Sequence, residues 1–196
     1  MTPSRSTLAN RVLAALEAAQ AGSRASLRGS LARGTADDYS DIDLEWLVPD
    51  AAFPSCLDVA PVLSEVQPVA SVRFSPDFFH SPVQRLVFVR FAGVPLFWRL
   101  DLDVRTAAAD DVPAPAADDE WSRPESALAN ALGAVKAVAR GRFDDARGLL
   151  DRGFARIGSD DRATGDWAAD VVRLARACER REPELAGFAA EIVALA

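Results

Sequence analysis

Residues 28–44 read RGSLARGTADDYSDIDL, and the spacing inside this stretch decides how the first half of the chain folds. Asp41 and Asp43 stand two apart with Ile42 and Leu44 interleaved, the alternation of a half-buried strand. That strand runs through DIDLEWLV (41–48) and closes at Pro49. Side chains alternate faces along a strand, so Asp41, Asp43 and Glu45 point one way and Ile42, Leu44 and Trp46 the other. The second set suits a core. The first set puts two carboxylates about 7 Å apart at their Cα atoms, and crowded like charges need a cation to offset them. Upstream, Gly29-Ser30 ends a shorter strand predicted within SRASLRG (23–29). Glycine permits close backbone approach, and a serine hydroxyl with neighbouring amides donates to an anion.

The rest of the chain is read outward from this stretch. Leu8, Val12, Leu16 and Ala19 recur at helical spacing and predict an opening helix that stops near Gly22. A helix is expected between Asp58 and Val66, then strands at VASVRF (69–74), LVFVRF (86–91) and LFWRLDLDV (96–104). Ala-Gly-Val-Pro between the last two reads as a hairpin connection. On the final strand Asp101 and Asp103 share a face opposite Leu100, Leu102 and Val104.

From 107 to 120 the text AAADDVPAPAADDE has the poverty, proline and acid of a linker. Beyond it come four helical stripes: Leu128, Leu132 and Val135; Ala146, Leu149, Leu150, Phe154 and Ile157; Trp167, Val171, Leu174 and Cys178; Leu185, Phe188, Ile192 and Leu195. The organisation expected is α/β (α+β): a mixed β-sheet domain over 1–110, a linker over 111–121 and an all-helical bundle over 122–196.

Composition narrows the function. The 196 residues are 49% hydrophobic and 26% charged, the balance of a folded globular protein. No apolar run approaches the roughly 20 residues that span a bilayer, and the first residues lack the apolar block and cleavage site of a leader. A cytoplasmic protein with no membrane partner is expected. The net charge of −7 comes with no basic run, which disfavours a nucleic-acid partner and suits a small or cationic one. Cys56 and Cys178 are far apart without CxxC spacing and read as packed, reduced thiols. His80, the only histidine, cannot build a multi-histidine zinc site.

Paired carboxylates beside a phosphate-binding corner are what Mg²⁺ takes up, using one or two protein acids plus substrate phosphates. Gly29-Ser30, a gap of about 10 residues, then Asp41-Ile42-Asp43 resembles the signature G-S-x(about 10)-D-x-D of the DNA polymerase β-like nucleotidyltransferase superfamily. The fuller stretch is close to what small bacterial members carry, a branch with aminoglycoside, lincosamide and antitoxin-type nucleotidyltransferases. The likeness covers residues 23–48 well and 97–104 more loosely.

The resemblance implies that Gly29 and Ser30 grip the β and γ phosphates; Arg28 and Arg33, by their nearness in sequence, are expected to add positive charge. It implies that Asp41 and Asp43 carry the metal. In relatives with an R-[IL]-D-L strand the matching third acid is Asp101, in Arg99-Leu100-Asp101-Leu102; Asp103 is the less favoured alternative. The implied cofactor is Mg²⁺, as two ions, with ATP or another NTP as co-substrate. The implied reaction moves a nucleoside monophosphate, AMP from ATP, to a hydroxyl on a small molecule, antibiotics included, and releases pyrophosphate. Asp101, Glu125, Asp166 and Glu179 are the candidates to take the acceptor's proton. The alternatives are an antitoxin-type enzyme that modifies a partner protein and a non-catalytic nucleotide-binding module. A homodimer is left open.

Overall fold

Alternating apolar residues build a sheet in the first half of the chain, and period-3.6 stripes build helices in the second. The computed structural model describes residues 4–110 and 121–196. The linker expected over 111–121 lies, Trp121 apart, outside the described residues. The chain divides into two compact units, Met1–Trp121 and Ser122–Ala196.

The first unit contains helix α1 (Arg5–Ala19), strand β1 (Arg24–Leu27), a single helical turn α2 (Gly29–Ala32), β2 (Ile42–Leu47), α3 (Ala60–Val66), β3 (Val69–Phe74), β4 (Gln84–Phe91) and β5 (Leu100–Arg105). The five strands form one mixed sheet in the order β1-β2-β5-β4-β3. Only β2 and β5 run parallel; the other neighbours are antiparallel. This is an α/β architecture.

Ile42, Leu44 and Trp46 on β2 are buried, as are Leu100, Leu102 and Val104 on β5 and Val87 and Val89 on β4. Leu8, Val12 and Leu16 of α1 and Leu63 of α3 complete the same cluster. Burying each such side chain contributes roughly 1.5–3 kcal/mol, so period-2 strands and the helix stripe hold each other. The sheet face not used by this core carries Asp43, Glu45, Asp101 and Asp103.

Two boundaries differ from expectation. The strand expected from Asp41 begins at Ile42, with Asp41 just ahead of it. The strand expected from Leu96 begins at Leu100, because Pro95 opens a 3-10 turn over Leu96–Trp98 in which the Trp98 N–H donates to the Pro95 carbonyl at 2.9 Å. The β4–β5 connection is therefore longer than a tight hairpin.

The second unit contains α4 (Arg123–Ala139), α5 (Phe143–Arg156), α6 (Trp167–Glu179) and α7 (Ala186–Val193). Ser122 caps α4 by accepting the Glu125 N–H at 2.9 Å, and Asp166 caps α6 by accepting the Ala169 N–H at 3.2 Å. Leu128, Leu132, Leu150, Phe154, Leu174, Cys178 and Ile192 are buried. A methyl group on Gly153 would stand 2.5 Å from Leu174 Cδ2, so a residue without a side chain lets α5 and α6 close together. The fourth stripe is shorter than its sequence pattern: Leu185 ends a 3-10 turn and Leu195 lies exposed beyond α7. Among the described residues no helix is long and apolar enough to cross a membrane.

Candidate active site

The parallel register of β2 and β5 decides which acids meet. Asp43 is paired with Asp101, and Glu45 with Asp103. Both pairs lie on the sheet face opposite the core, because their neighbours in sequence are the buried Ile42, Leu44, Leu100 and Leu102.

The Gly29-Ser30 corner sits directly against Asp43. The Arg28 N–H donates to the Asp43 carbonyl at 2.8 Å, which ties the end of β1 to β2. The chain then turns through Gly29 at φ +56, and a Cβ there would lie 1.9 Å from Asp43 Oδ2. Glycine is required twice over, for the left-handed backbone and for the space. The turn is closed by the Thr35 N–H on the Ser30 carbonyl at 3.0 Å. Arg33 is exposed at its C-terminal end.

Asp41 is positioned by the loop before it. The Asp37 carboxylate accepts the Tyr39 N–H at 3.1 Å and the Ser40 hydroxyl at 2.8 Å, an Asx-type turn. Arg5 of α1 donates to the Ser40 carbonyl at 2.9 Å, and the Tyr39 ring meets the edge of Phe97 at 5.4 Å. The Ile42 N–H then donates to the Arg99 carbonyl at 2.9 Å, starting the β2–β5 ladder. Asp37 is exposed and holds this turn.

Arg99 is the cation that the crowded acids require. Its Nε and Nη2 donate to the two oxygens of Asp101 at 2.6 Å each, a bidentate fork. Nη2 also lies 3.9 Å from Asp41 Oδ2. The side chain is largely buried, and its guanidinium stacks over Phe88 at 4.8 Å from the ring centroid. Burial alone would lower its pKa, but Asp101, then Asp41 and Asp43, more than offset that and hold the guanidinium above its ordinary value. Arg73 lies over the same Phe88 ring at 4.6 Å. Register thus lines up the glycine corner, Asp43, Asp101, Phe88 and Arg73 in one row across the sheet.

The second acid pair belongs to a different network. Glu45 meets Arg28 at 3.2 Å and Arg105 at 3.7 Å. Arg28, expected to add charge near phosphate, therefore makes an ion pair with Glu45. Asp103 accepts from Gln84 Nε2 at 2.9 Å, and burial pushes its carboxyl above the usual range against the opposing pull of Gln84 and Arg105. Asp101, and not Asp103, shares the row with the glycine corner. Of the acids considered in the helical unit, Asp166 is engaged in capping α6, Glu125 lies in the first turn of α4 and Glu179 ends α6.

The donor set fits Mg²⁺ in part. Asp41 and Asp43 supply hard oxygen donors beside a corner that a Cβ would fill. Among the described residues, however, no group of three or more His, Cys, Asp or Glu side chains is disposed to hold a metal ion. Each of the two Asp101 oxygens accepts a hydrogen bond from Arg99. Arg99 is also the residue whose importance the sequence reading missed. Its signal is the Arg-x-Asp spacing, which on an alternating strand puts the two charges on one face. No protein-family model matches the chain, and no curated protein matches it significantly.

Proposed function

We propose that this chain is a Mg²⁺-dependent nucleotidyltransferase that moves a nucleoside monophosphate, AMP from ATP, onto a hydroxyl of a small molecule and releases pyrophosphate. One observation carries the reading: the Gly29 backbone presses on Asp43 while Asp101 is the strand neighbour of Asp43. A phosphate corner and acids from two strands, far apart in sequence, thereby converge. Asp41 and Asp43 would hold the ion, and Asp101 is the third ligand the reading calls for. Bound Mg²⁺ supplies neutralisation of charge on the entering and leaving oxygens.

The chain's own groups do the positioning. The Ser30 hydroxyl and adjacent amides receive the β and γ phosphates. The acceptor oxygen attacks the α-phosphorus as the bond to the β-phosphate oxygen breaks, so pyrophosphate departs on the side of the glycine corner. The acceptor's proton passes to a carboxylate, for which Asp101 is the candidate within this unit.

Incubation with labelled ATP and Mg²⁺, alone, with a panel of aminoglycosides and lincosamides, and with cell lysate, tests the reading. Pyrophosphate release that depends on a small acceptor supports it. Label on a polypeptide would move the assignment to a protein acceptor, and tight ATP binding without turnover anywhere would end it. Asp43→Asn is expected to lower turnover by about 100-fold or more, beyond the cost of losing an outer partner of a metal ligand. Its thermal melt should hold or rise, because one of several crowded acids is gone.

A further inference from the structure

We infer that Arg99 is a built-in counter-cation that keeps Asp101 from divalent ions until an incoming polyphosphate draws the guanidinium away, so that the third carboxylate joins the site last. The inference rests on the nucleotidyltransferase reading above and concerns the order in which that site is assembled. Arg99 is a positioning residue that acts through Asp101.

Three features support it. The fork is complete, with Nε on one carboxylate oxygen and Nη2 on the other at 2.6 Å each, so an ion that takes Asp101 competes with Arg99 for the same oxygens. The same guanidinium is 3.9 Å from Asp41, so it spans the first and third acids of the cluster. It is also held from the side by the Phe88 ring, which fixes it over the sheet and not in solvent. A guanidinium gives up one bidentate carboxylate most readily for another bidentate oxyanion, and phosphate oxygens match its geometry. A nucleotide is the anion that the proposed reaction brings to this row. Arrival of the substrate then frees Asp101, and the chain alone offers ions only the Asp41–Asp43 end.

The test is Mn²⁺ binding to the full chain, measured from the free-ion paramagnetic resonance signal, with and without a non-hydrolysable ATP analogue. Without nucleotide, Arg99→Gln is expected to bind Mn²⁺ about tenfold more tightly than the natural chain, a factor of the size that one close charge pair produces. Arg99→Lys keeps the charge but loses the fork and should fall between. In an Asp101→Asn background, the gain from Arg99→Gln should shrink to the smaller part that comes from its 3.9 Å approach to Asp41. The analogue should raise Mn²⁺ affinity more for the natural chain than for Arg99→Gln.

Equal affinities for the natural chain and Arg99→Gln would overturn the inference. So would a gain from Arg99→Gln that is undiminished in the Asp101→Asn background, since that is a general charge effect. Should Arg99→Gln fail to fold, Arg99→Lys and Phe88→Leu carry the same comparison, with tighter Mn²⁺ binding expected of each and unchanged binding overturning it. Turnover by the natural chain with equal ion affinities removes this inference alone. No turnover, with no ion bound by any variant, removes the function as well.

Discussion

A methyl group at Gly29 has nowhere to go. Its backbone is left-handed and its missing Cβ would collide with Asp43 Oδ2 at 1.9 Å. Gly34 has a similar backbone, φ +68, with nothing within 4 Å of its would-be Cβ. The pair separates two effects. Gly34→Ala is expected to cost only the left-handed penalty, about 1 kcal/mol, and to leave turnover intact. Gly29→Ala should cost more, about 2–3 kcal/mol, and should abolish turnover, because Asp43 has to move. Denaturant unfolding and the pyrophosphate assay check both; equal losses of stability and activity would break the link between corner and acid. At this scale Gly29, Asp43 and Asp101 were legible as residue types in a pattern. Arg99 left only its Arg-x-Asp spacing as a signal, because its role depends on which way a long side chain reaches.

Among the elements, the entry to α6 carries the strongest single test. Asp170 is fully buried. It accepts the Thr164 N–H at 2.7 Å, the Thr164 hydroxyl at 2.9 Å, the Gly165 N–H at 3.1 Å and Arg173 at 2.8 Å. Burial alone would raise its pKa, yet Arg173 and the Thr164 and Gly165 donors together hold the carboxyl below its ordinary value. A carboxyl depressed in the folded chain contributes stability that is full above its unfolded value, about 3.9, and is lost as pH falls through its folded value. Asp170→Asn is expected to destabilise the helical unit by about 2–4 kcal/mol at neutral pH. The difference from the natural chain should shrink only below about pH 4. Urea unfolding followed by helical circular dichroism at several pH values decides it; a difference independent of pH down to acid unfolding would be contrary. The helix itself was legible from its stripe. Its anchor was not, because Thr164, Gly165 and Arg173 become donors to one carboxylate only after the loop folds back.

For the whole molecule, the two thiols report on the two units separately. Cys56 lies in the first unit and Cys178 in the second, both buried and free. Burial pushes the Cys178 thiol up to about 12, and burial also raises Cys56. Since the thiolate is the reactive form, neither should react with a disulfide reagent at pH 8 in the native chain. Both should react in denaturant, and mass spectrometry of labelled peptides then gives the opening of each unit by itself. Rapid native labelling of Cys178 would contradict the packing of α6.

By itself the sequence determined the α/β half, the helical half and the faces on which Asp43, Asp101 and the buried leucines fall. Those are set by periods of 2 and 3.6 residues, which are local and leave their mark along the chain. Tertiary structure decided that Arg28 pairs with Glu45 and that Arg99 closes on Asp101, and it set Asp101, already favoured over Asp103, beside Asp43. Each of these depends on strand register and on side chains meeting across strands, and a one-dimensional pattern does not encode either.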